Sequence, residues 1–226
     1  MANGVSVLVQ RLGIWSRPQY LLFGLVGLML AYVLYHNESF LFRPVDPEWT
    51  HIAPFKWWLL PHALAGCCAL LLGPMQFSDR LRSRFLGLHR TVGRIYVAGA
   101  FVLAPLGAYI QYFEERMGGS RSFSVAAGVN AALLMITTGI AFAFIRKGKI
   151  QQHRQWMTRR FAVALGFLEV RVIAGVTGWE NLGDAANATI VWGCVAFSVL
   201  IGDLILQLQE LYRTRGSARA AGNSIG

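Results

Sequence analysis

The sequence is short of charge, of acid and of cysteine, and each shortage closes off a class of protein. Only 14% of the residues are charged while 55% are hydrophobic, and the mean hydropathy is +0.45. Too little polar surface remains to cover a soluble globule, so the chain belongs in a bilayer. Acidic residues number 11 against 21 lysines and arginines, a net charge of +10. A nucleic-acid-binding protein would gather that excess on one soluble face. Here the basic residues sit in short loops between apolar runs, so nucleic acid is not expected as a partner. Cys67, Cys68 and Cys194 all lie inside apolar stretches, with no C-x-x-C and no Cys/His set at zinc spacing. A disulfide framework and a structural zinc drop out, and the thiols read as small buried hydrophobes. No phosphate-cradling glycine loop, nucleophile elbow or paired-carboxylate motif occurs.

What the sequence does have is apolar runs near the ~20 residues a membrane-spanning helix needs. Six are read, over residues 19–35, 57–77, 94–113, 123–145, 161–178 and 188–208. The first follows Arg11 and Arg17 like a signal peptide, but His36, Asn37, Glu38 and Ser39 come after it with no small-x-small cleavage pattern. It reads as a retained anchor. The expected fold class is therefore an all-α integral membrane protein of six transmembrane helices. Residues 1–18 form a cytoplasmic or interfacial N-terminus, 19–208 a single membrane domain and 209–226 a cytoplasmic tail. Within these, residues 5–15 suit an interfacial helix, and the tail from Gly216 reads as frayed.

Basic residues orient the spans. Arg11 and Arg17, Arg80 to Arg94, Arg146 to Arg160, and Arg213, Arg215 and Arg219 fall on one side; Arg43, Lys56, Arg116 and Arg121 fall on the other. By the positive-inside tendency both termini face the cytoplasm of a bacterial inner membrane. The longest outer loop, residues 36–56, carries Phe40, Phe42, Pro44, Pro47 and Trp49 and suits an ordered interfacial segment.

An internal repeat is visible too. Residues 67–71, C-C-A-L-L, resemble residues 131–135, A-A-L-L-M; a basic loop follows each, and a His-Arg pair opens each next helix. Helices two to five then make a pseudo-symmetric four-helix core from a parallel two-helix repeat.

The His-Arg pairs are the foremost candidates for chemistry. His89, Arg90 and Arg94 on one helix, with His153, Arg154, Arg159 and Arg160 on another, form two collars at helix N-termini, where backbone N–H groups already favour an anion. They suit a phosphate, a carboxylate or a polarised quinone carbonyl. Flanking arginines also serve as anchors on lipid phosphates, so membrane lipids are expected partners. Two histidines at matching depth on parallel helices additionally allow haem b ligation by His89 and His153, the one metal site the sequence offers. Deeper, Glu169 and Arg171 are costly ionisable groups inside a span. Two residues apart, they point to different sides of the helix, so Arg171 looks to His62 or Gln111 for a partner. His62 with Arg171 forms a second polar site in the outer half. Tyr96 and Trp156 read as aromatic-belt residues.

The combination His62, Gly73-Pro74-x-Gln76-Phe77, His89-Arg90-x-x-Gly93-Arg94-x-Tyr96 and His153-Arg154-x-Trp156-Met157-x-Arg159, with Arg171 downstream, resembles a family of predicted bacterial multipass membrane proteins of unknown function. The resemblance runs over about residues 57–171. It implies a helical membrane core with these polar positions, and Glu169 stands outside its pattern. The expected function is binding of a polar-headed or redox ligand, of quinone or haem type, at the collars, in membrane electron transfer. Two alternatives are a non-catalytic accessory or assembly subunit of a larger membrane complex and a small-molecule or ion transporter.

Overall fold

The structure, a computed structural model, describes residues 18–222. Arg11, Arg17 and the stretch 5–15 read as an interfacial helix lie outside the described residues. Eight α-helices follow one another among the described residues: α1 (Pro18–His36), α2 (Glu48–Ile52), α3 (Lys56–Gln76), α4 (Asp79–Arg84), α5 (Leu86–Arg116), α6 (Arg121–Arg146), α7 (Ile150–Thr177) and α8 (Asp184–Gly222). Among the described residues there is no strand.

Short connections with the right terminal residues set the antiparallel hairpins. Ser78 accepts a hydrogen bond from the Leu81 N–H at the start of α4, and Ser120 accepts from Phe123 N–H at the start of α6, each satisfying one orphan donor. Gly148, in the tight turn between α6 and α7, has φ +69°, and Gly178, which ends α7, has the same value. Both occupy the left-handed region that a side chain disfavours.

Helices α3, α5, α6 and α7 pack in series, α8 lies against α7 and α6, and α1 lies against α7. Ala69, Tyr96, Ala141 and Met157, one residue from each of the four core helices, form a shared cluster at their centre. The contact face of α3 is Ala65, Ala69 and Gly73, spaced by four, whereas Ala63 points outward. At Gly73 an added Cβ would stand 2.7 Å from the Phe161 ring, so α3 reaches α7 only because glycine is there. The segment between α1 and α3 is packed: Phe40, Ile52 and Phe55 bury themselves against Ile110 of α5.

Four helices, α3, α5, α6 and α8, are long and apolar enough to cross a membrane, and residues 23–36 of α1 make a shorter apolar helix. Within those four apolar windows, between 17% and 33% of the residues are buried inside the protein. The rest of the apolar surface faces outward, as lipid requires.

Two sequence expectations change. The segment after Gly216, expected to fray, continues α8 to Gly222; its alanines and arginines are strong helix formers. The helices bearing the collars also begin earlier than their apolar runs, at Leu86 and Ile150. The His-Arg pairs thus lie in the first turns of α5 and α7, and the helices start three residues before each pair.

Candidate functional site

His89 and His153 occupy equivalent places. Each is the fourth residue of its helix, and their backbone N–H groups donate to Phe85 O and Lys149 O, both at 3.0 Å. They stand at the same end of the molecule, here the collar end, within electrostatic range of one another. His153 Nδ1 lies 2.8 Å from Ala141 O. A carbonyl only accepts, so Nδ1 carries the proton and Nε2 presents its lone pair in the neutral ring. His89 Nδ1 is buried and has no hydrogen-bond partner.

Beneath the histidines, seven residues further along each helix and so ~10 Å deeper, lie Tyr96 and Arg160. Both are fully buried, at 0% exposure. The Arg160 guanidinium lies 3.6 Å from the Tyr96 ring centroid, a cation–π contact. Its Nε donates to Thr138 Oγ1 at 2.7 Å, and Nη2 reaches Tyr96 O at 3.5 Å. Thr138 in turn donates to Leu134 O, which leaves its oxygen to accept from Arg160. Nη1 of Arg160 and the Tyr96 hydroxyl have no partner. No carboxylate pairs with Arg160 among the described residues' ion pairs.

The arginines predicted beside the histidines separate. Arg90 and Arg94 share a face, as their spacing of four requires, but it is the exposed outer face of α5. At 100° per residue, a position one step from His89 points away from the core. Arg154 is exposed for the same reason. Arg159 turns to α8, where its Nε donates to Asp203 Oδ1 at 2.7 Å while its guanidinium covers the Trp156 ring at 4.9 Å. Of the predicted collar arginines, Arg160 alone enters the core.

At the second expected site His62 and Arg171 come within electrostatic range of one another but do not pair. His62 Nδ1 donates to Leu103 O at 3.0 Å, and its ring fills the space left by Gly107, where a Cβ would stand 2.7 Å from Cε1. Arg171 is half exposed, and its Nη1 pairs with Glu38 Oε1 at 3.2 Å, in place of His62 or Gln111. A residue of the outer segment was the available acid.

Tyr96 is the residue that sequence reasoning misplaced. Aromatic-belt residues sit at the water interface, whereas this one is at the bundle centre. Its spacing of seven from His89, two helical turns on one face, was the signal. Thr138, a polar residue within the apolar run of α6, was the other.

Residues 59–206 match the family model described as predicted membrane protein (DUF2306). No curated protein and no solved structure matches the chain. The match takes in all of α5, α6 and α7, most of α3 and part of α8, and the chain belongs to this family of predicted membrane proteins of unknown function.

Proposed function

We propose that the protein binds a redox ligand with a polar, oxygen-bearing head, of quinone type, at the histidine end of its four-helix core, and serves membrane electron transfer. One observation carries the reading: Arg160 Nη1, Tyr96 OH and His89 Nδ1 are buried and unpartnered on the inward faces of α5 and α7. Buried polar groups are nearly always satisfied, and an orphan asks for an explanation. An N–H and an O–H seek an acceptor such as a carbonyl oxygen, and the outward apolar surface suits a ligand whose tail lies in lipid. In this reading His89 and His153 bind at the entrance, Arg160 and Tyr96 hold the head, and Arg90, Arg94 and Arg154 anchor lipid phosphates.

The topology belongs to the same proposal. All six long helices cross, α7 included: Arg160 turns into the core, and Arg159 and Arg171 are neutralised by Asp203 and Glu38. Helices α3 to α7 form a parallel two-helix repeat, with both termini on the cytoplasmic side of a bacterial inner membrane. Matching positions of His89 and His153 in their helices support the repeat.

A haem b reading is favoured by one specific feature. The His153 Nδ1–H is committed to Ala141 O, which leaves Nε2 oriented as in metal-bound histidines. An oxidised and a dithionite-reduced absorption spectrum of the purified protein separates the two. A Soret band that shifts on reduction assigns haem; a spectrum without one, from protein that yields quinone on extraction, assigns quinone.

A further inference from the structure

The seam of α6, α7 and α8 holds a second group of polar atoms, apart from the histidine end. Gly166 of α7 makes room for two of them: a Cβ there would stand 3.4 Å from Asn130 Oδ1 and 3.7 Å from Ser198 Oγ. Asn130 is 4% exposed and Ser198 0%. Three residues along the same face of α7 comes Glu169, in electrostatic range of Cys194, which lies one turn from Ser198 on α8. Glu169 Oε2 and Asn130 Oδ1 are both buried without a partner. Ser198 commits its one proton to Val195 O at 2.9 Å, so its oxygen too presents lone pairs. Three side chains therefore offer acceptor oxygens to one apolar seam.

We infer that Glu169 binds an exchangeable proton there, giving the protein a neutral, proton-loaded carboxyl in the half of its core remote from the collar histidines. An ionised carboxylate in such surroundings needs a cation, and the neighbours supply none. On α7, Arg171 is committed to Glu38. From α6 come Ser124 and Asn130, and from α8 Cys194 and Ser198, none of them cationic. From α1, Tyr32 and His36 stack on each other over Gly175, six residues further along. From α3 come Leu70 and Phe77, both apolar, and, in electrostatic range of Arg171, His62, whose ring donates to Leu103 O. A metal ion would require more oxygen ligands than these three side chains supply. A proton needs one acceptor and no cavity.

Infrared spectra of the full-length protein in lipid, taken at neutral pH in H2O and D2O, test this without any ligand at the histidine end. The expected result is a protonated-carboxyl C=O band that shifts in D2O, vanishes in Glu169→Gln and survives in Glu48→Gln, whose carboxyl is exposed. Absence of the band in the wild type, or its persistence in Glu169→Gln, overturns the assignment. So does its loss on raising sodium at fixed pH, because an alkali cation would then be the occupant. If Glu169→Gln does not fold, Glu169→Asp is read instead: a displaced band supports the site and an unmoved one overturns it.

Discussion

Arg160 is a positive charge at 0% exposure, with no carboxylate beside it among the described residues. Its compensation comes from one neutral hydrogen bond to Thr138, the Tyr96 ring face and a long contact to a carbonyl. Glu169 does not balance it. Nine residues of helix put the two ~13.5 Å apart, where even an ionised carboxylate, at an effective dielectric of ~20, would attract by only about 1 kcal/mol. Removing an ion from water costs several times that. On the proposed reading such a group serves what it binds, and that role is distinguishable from packing. Replacing Arg160 by Met, similar in length and apolar, is expected to leave thermal stability in detergent equal or higher, by up to about 4 kcal/mol, while ligand retention is lost. A large fall in stability would mark Arg160 as structural. The ion pair of Arg159 with Asp203 is half exposed and is the opposite case. Asp203→Asn should cost no more than about 1 kcal/mol, and a double-mutant cycle with Arg159→Gln, read by thermal unfolding, measures it.

Small residues decide which helices touch, because lipid supplies no hydrophobic drive between them. At Gly73 an added methyl meets the Phe161 ring, which is itself boxed in by Phe23 and Phe77. Gly73→Ala is expected to destabilise by about 1–3 kcal/mol through overpacking. Gly128→Ala meets nothing within 4 Å and should be neutral or slightly stabilising. Thermal unfolding of the two variants side by side checks the α3–α7 contact, and equal melting would refute it. The long helices were legible in the sequence, because their apolar runs are separated by polar turns, several of them carrying Ser or Gly. The depth of the basic residues in α5 and α7 was not. Arginine is both a good helix former and a loop residue, so hydropathy alone cuts the helix where the charge begins. That error placed Arg160 at a surface collar, although its spacing of seven from His153 puts both on one face.

Across the whole molecule, outward-facing apolar residues and one-sided basic loops describe a protein held by its bilayer. Lys147 lies in an exposed turn at the histidine end, and Met117 in an exposed turn at the opposite end. On a cysteine-free background in spheroplasts, Met117→Cys is expected to react with a membrane-impermeant maleimide directly, and Lys147→Cys only after lysis. The reverse pattern would invert the topology. Composition made the membrane location readable, loop charge supplies the orientation that this labelling tests, and the partners of individual polar groups were not readable. Arg171 pairs with Glu38, 133 positions away in sequence, a contact that only the packing of α7 against α1 and the segment after it creates. Tyr96 and Arg160 likewise meet across two helices that are not neighbours in the chain.

Ligand retention by the purified protein bears most directly on the proposed role. Wild type and the His89→Ala/His153→Ala double variant would be purified in mild detergent, extracted with organic solvent and analysed by mass spectrometry for quinones and haem. The expected result is one such compound near one per chain in the wild type, reduced at least tenfold in a double variant that still inserts and folds. A folded wild type that carries neither compound, or a double variant that retains as much as the wild type, would contradict it.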